Sequence, residues 1–66
     1  MRDPKLDPQP GDVLVKHSAS RVLKRTVKAR RGNDIDYSNS GGNHFTCWIT
    51  TWQGWATDAK VETIAP

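Results

Sequence analysis

Few side chains in this sequence carry reactive chemistry, and their spacing works against it. His17, His44 and Cys47 are the only soft metal ligands. A structural zinc site draws four ligands as closely spaced pairs, whereas here only His44 and Cys47 lie close, and on an extended strand their separation turns them to opposite faces. Cys47 reads instead as a small apolar filler beside Phe45 and Ile49, and His44 as a polar residue at a loop edge. A nucleophilic site would need Cys47 or a serine held by a histidine and an orienting acid, in a pocket that excludes water. Asp34 and Asp36 share one strand face, but an exposed hairpin edge neither desolvates two carboxylates nor drives their pKa values apart. Gly41-Gly42 lacks the lysine and helix start of a phosphate-binding loop. These patterns predict a non-enzyme with no metal and no cofactor, so the chemistry to look for is binding.

Binding has two sequence signals. The net charge is only +3, yet Lys16, Arg21, Lys24, Arg25, Lys28, Arg30 and Arg31 all fall between Val13 and Asn33 with no acid among them. Such a cluster suits an anionic partner through its summed field; alternatively it keeps an exposed hairpin soluble and discourages edge pairing. From Arg21 to Arg31 the residues alternate, with Leu23, Arg25, Val27 and Ala29 on one face and Val22, Lys24, Thr26, Lys28 and Arg30 on the other. The apolar face belongs to the core, so Lys24, Lys28 and Arg30, with Arg31 at the end, form a basic stripe toward water. The second signal is Trp48, which the alternation Phe45, Cys47, Ile49 turns outward, to anchor a protein, stack on a base or serve as a lid. No Phe, Tyr or Trp interrupts residues 13 to 36. That favours a protein partner or self-association through Trp48 and the basic hairpin, with nucleic acid on Lys24, Lys28, Arg30 and Arg31 as the alternative.

The element that must position these residues is the stretch Phe45 to Ala59, which holds all three tryptophans, the only phenylalanine and the only cysteine of 66 residues. Phe45, Cys47 and Ile49 alternate as in a strand, whereas Trp52, Trp55, Ala56 and Ala59 recur as on one helix face. A strand running into a short helix over about 51–58 is expected, with Thr50 and Gln53 as a capping box. A single helix through the stretch is disfavoured by β-branched Thr46, Ile49, Thr50 and Thr51. Trp52 and Trp55 are expected inside, against Val13, Val15, Leu23, Val27 and Ile35.

Before this anchor, residues 1–9 carry prolines and alternating charges and are expected as an extended, partly mobile arm. Pro10-Gly11-Asp12 turns into a strand at Val13 to His17, and Ser18-Ala19-Ser20 breaks it before the second strand. Gly32-Asn33 supplies hairpin chemistry, followed by a strand at Asp34 to Ser38 whose acids face out and screen the basic stripe across the strands. After an uncharged Asn39 to Asn43 loop, the anchor and a last strand at Lys60 to Ile64 complete a 10–66 domain. A domain this small buries only about 60% of its unfolded surface, so the aromatics are needed in the core.

Five short strands with one helix before the last predict a mostly β fold, a small barrel of the SH3-like kind. Pro10-Gly-Asp-Val13, Arg25-Thr-Val27, Ile35-Asp-Tyr37 and Trp52-Gln-Gly-Trp-Ala56 with Ala59 resemble the pattern of short uncharacterised proteins encoded by tailed phages and prophages. The resemblance spans roughly residues 9 to 62. It implies an SH3-like fold and a phage or prophage origin, and carries over no catalytic residue. One cysteine permits no internal disulfide, no apolar run nears a membrane span, and the charged start is unlike a signal peptide. A cytoplasmic protein of a bacterial host is expected.

Overall fold

The computed structural model describes residues 2–66. Its elements are Val13–Ser18 (β1), Arg21–Arg31 (β2), Asp34–Ser38 (β3), His44–Trp48 (β4), Ile49–Ala56 (α1) and Lys60–Thr63 (β5). All strand pairs are antiparallel, in one sheet of order β4-β3-β2-β1-β5. The mostly β class, the five strands and the helix before the last are as expected. The barrel is not closed: β4 and β5 are the two edges of an open sheet. No helix among the described residues is long and apolar enough to cross a membrane.

Local chemistry explains the turns. Gly32 takes φ +61° in the two-residue β2–β3 hairpin, the left-handed conformation that glycine adopts without penalty. Ala19 does the same work in the β1–β2 hairpin at φ 52°, at a steric cost of about 1 kcal/mol for a residue with a Cβ. In β2, Val27 pairs with Tyr37 and Ala29 with Asp36, so Lys28 is the extra residue of a β-bulge.

The core is Leu14, Val27, Ile35, Tyr37, Trp52, Ala56 and Ala59. Trp52 is its centre, fully buried, with its ring centroid 5.8 Å from that of Tyr37. Three expectations are corrected here. β1 gives the core Leu14 rather than Val13 and Val15, which are half-buried, because its inward register is the opposite one. Trp55 is half-buried at the rim, packed on Trp52 with centroids 5.8 Å apart, and Phe45 is 46% exposed beside Tyr37. The helix starts at Ile49, with Thr50 inside it and no side-chain cap. The reason is tertiary: the Ile49 N–H donates to the Asn33 carbonyl at 2.8 Å, and the Gln53 amide instead donates to the Leu6 carbonyl at 3.0 Å.

That last contact belongs to the N-terminal segment, which is packed against the domain. The Leu6 and Asp7 amides donate to the Asp3 carbonyl, forming a turn, and Pro4 and Pro8 are fully buried. The Trp52 indole N–H donates to the Pro4 carbonyl at 3.0 Å. Asp12, also fully buried, accepts from the Gln9 amide at 2.7 Å, the Ala65 amide at 2.7 Å and the Arg2 guanidinium. One carboxylate thus joins both terminal segments to the start of β1.

Candidate functional site

The bulge in β2 decides where the cations go. Up to Val27 the odd-numbered residues face the core; past Lys28 the parity inverts, and Arg30 stands opposite buried Ile35 while Arg31 stands opposite Asp34. Lys24, Lys28 and Arg30 therefore do not form one stripe. Arg30 turns toward the N-terminal segment, bridging to Asp7 and donating to the Pro8 carbonyl at 3.1 Å and the Gly32 carbonyl at 2.9 Å. Arg31 meets Asp36 at 2.6 Å and Lys24 meets Glu62 at 3.6 Å. Among the described residues only Lys28 of the four has no carboxylate partner. Exposed pairs of this kind contribute about 0 to 1 kcal/mol each, but they neutralise the field that a phosphate backbone would feel.

Trp48 lies outside, 54% exposed, opposite Asp34 on the neighbouring strand. It sits on a sheet edge. β4 reads His-Phe-Thr-Cys-Trp, with no lysine, no proline and no bulge in its ladder to β3, so it lacks the usual devices that keep an edge from pairing.

Of the Lys24, Lys28, Arg30, Arg31 and Trp48 positions that the sequence singles out, a second site includes Lys24 alone. A cleft of about 560 Å³ opens beside the first half of β2, lined by Arg21 to Arg25, Tyr37, the Asn39 to Gly41 loop, Phe45 and Trp55. At its wall Arg25 lies between two rings, its guanidinium carbon 4.4 Å from the Tyr37 centroid and 4.1 Å from that of Trp55. Lys16, the neighbouring inward residue of β1, lies 5.1 Å from the centroid of Trp55. Cation–π contacts of this type contribute about 0.5 to 2 kcal/mol. Against that, Arg25 Nη1 is buried with no hydrogen-bond partner, a deficit of about 1 to 3 kcal/mol. The available signal was Arg25 itself, a cation in register with Leu23 and Val27 on the core-facing side. What a sequence does not show is that Tyr37 and Trp55, from two other elements, both meet it, with Phe45 stacked on Tyr37.

Among the described residues no three His, Cys, Asp or Glu side chains gather as metal ligands would. Cys47 is half-buried on the inner face of β4 and packs on the core. Burial pushes its thiol up, with the positive charge of Arg25 as a smaller opposing influence. A thiol reagent at neutral pH should label the folded protein more slowly than the unfolded chain, since the side chain is half-buried and the thiolate is the reactive form. Labelling at equal rates would overturn the β4 register that also puts Trp48 outside. Comparison with protein-family models, with curated proteins and with solved structures finds no match to this chain.

Proposed function

We propose that this chain is a small non-enzymatic interaction module that engages a protein partner, or a second copy of itself, through the free edge of β4 with Trp48 as anchor. The observation that carries this reading is the undefended edge: an uncharged strand laddered on one side only, with Phe45 and Trp48 both about half exposed. Main-chain hydrogen bonds along such an edge supply affinity, and a tryptophan supplies the desolvated contact on which protein interfaces concentrate their energy. The hairpin contributes less than its charge suggests, because Arg30 and Arg31 are engaged internally. The reading includes a phage or prophage origin, an SH3-like fold and the cytoplasm of a bacterial host. These rest on the motif resemblance and on the single cysteine.

Trp48→Ser tests it. Sedimentation of the purified chain, and pull-down from a bacterial lysate with and without nuclease, should show an association weakened at least about tenfold in the variant. The melting temperature should stay within a few degrees of the parent's, because the side chain is more than half exposed. Association unchanged by the substitution, or abolished by nuclease, refutes the proposal. The second outcome promotes nucleic-acid binding on Lys24, Lys28, Arg30 and Arg31.

A further inference from the structure

We infer that the cleft beside the first half of β2 is a separate protein-binding site, which takes an extended acidic peptide segment as an added strand and seats its carboxylate between Arg25 and Arg21. The inference depends on the interaction-module reading only in taking the partner to be a protein; the strand paired is β2 rather than β4, and Phe45 is the residue common to the two surfaces.

Charge selects an acidic occupant. The lining includes Arg21, Lys24 and Arg25 and no carboxylate. Lys24 has Glu62 as an outside partner at 3.6 Å, but no ion pair reaches Arg21 or Arg25 among the described residues. Arg25 is held by its two ring contacts rather than by an acid, and its guanidinium has no hydrogen-bond or ion-pair partner among the described residues, Nη1 being buried without one. A carboxylate matches a guanidinium edge with two oxygens at once.

Backbone geometry selects a strand. β3 pairs with β2 only from Thr26 onward, so Arg21 to Arg25 are laddered to β1 alone. Along an antiparallel strand the outward amides fall on alternate residues. Thr26 turns toward β3, and the Lys24 amide donates outward to Ser40 Oγ at 2.9 Å. Two residues earlier, the Val22 amide must face the same way, into the cleft where β3 has already ended. An added strand would find there a free donor, the exposed Val22 side chain and the half-exposed face of Phe45.

The same geometry disfavours single-stranded nucleic acid. Successive bases need a run of open ring faces. Arg25 already covers one face each of Tyr37 and Trp55, and Tyr37 also stacks on Phe45 with centroids 5.7 Å apart. Little more than one side of Phe45 is left for stacking.

The probe is an acetylated, amidated peptide of alternating Val and Glu, titrated into the isotope-labelled full chain and followed by amide and Arg Nε–H resonances. Its Val/Gln counterpart and an oligothymidylate serve as comparison arms. The Glu peptide should shift Val22, Lys24, Ser40 and Arg25 and saturate, while the Gln peptide binds at least about tenfold more weakly. Val22→Pro removes the outward donor without breaking the β1 ladder and should abolish those shifts. Arg21→Glu, at an exposed position, should weaken binding at least about tenfold with the fold intact, and it decides the matter if the proline variant does not fold. Trp48→Ser should leave the titration unchanged, so failure at the β4 edge and failure here are separable. Equal binding of the Gln peptide, shifts that map elsewhere, or no shifts at all overturn the inference. So does oligothymidylate shifting the same amides more tightly than the Glu peptide, with a steep loss in salt.

Discussion

Replacing Trp52 by alanine should leave the protein unfolded, or nearly so, at physiological temperature. The side chain is fully buried at the centre of the core, between Tyr37 and Trp55, and removing a buried aromatic of this size costs about 3 to 5 kcal/mol. At 66 residues the whole domain has about 3 to 10 kcal/mol to lose. A sharp thermal transition near the parent's in Trp52→Ala would show that the core is organised elsewhere. Trp55→Ala should cost clearly less, since that ring is half-buried and Trp52 remains beneath it. Trp52→Phe separates two contributions. It keeps a ring in the core but deletes the indole hydrogen bond to the Pro4 carbonyl, so about 1 kcal/mol should go with that bond and the rest with the lost ring volume.

The second large effect is expected at Asp12. Asp12→Ala strands the Gln9 and Ala65 amides and removes the Arg2 partner, and about 3 kcal/mol should be lost when donors to a buried charged group go unmet. The same carboxylate gives stability a pH dependence. Burial pushes its pKa up, but the hydrogen bonds from Arg2 and from the Ala65 and Gln9 amides, with the Arg2 charge, outweigh burial and hold it below the ordinary value. A depressed carboxylate contributes in full above its unfolded value, about 3.9, and that contribution drains away as pH falls through the lower folded value. Urea midpoints of the parent should therefore be flat near neutrality and fall below about pH 4. In Asp12→Asn the fall should be visibly shallower; an identical acid limb in both proteins would remove Asp12 as its cause.

Period and composition were enough to read the five strands, a switch from strand to helix within the Phe45 to Ala59 stretch though not its position, and the outward Trp48, because each rests on local alternation and turn chemistry. What failed was parity over distance. Counting by two along β2 sends Arg30 outward with Lys24, but a bulge adds one residue at Lys28 and reverses every assignment beyond it, and nothing in Val-Lys-Ala marks the place. The capping box failed for a related reason, since the Gln53 side chain is turned away to donate to the Leu6 carbonyl, far away in the chain. The prolines near the start read as an arm, and only the folded structure shows that Pro4 and Pro8 are fully buried. The cleft is half legible: alternation faces Arg25 inward, but the rings that meet it come from β3 and α1, and Phe45 of β4 joins the lining.

The joining of both terminal segments at Asp12 also has a consequence in time. The hairpins close over a few residues, Ser18 on Arg21 and Arg31 on Asp34, whereas Trp52 to Pro4, Ala65 to Asp12 and Arg2 to the Ala65 carbonyl span 48, 53 and 63 residues. Long closures cost more chain entropy before any contact repays it, so the meander from β1 to β4 is expected to form early and the terminal clasp late. Until the clasp forms, Trp52 lacks its cover and β1 its β5 neighbour. The interval in which this chain is most exposed to aggregation is thus expected to end when the Asp12 and Trp52 contacts close.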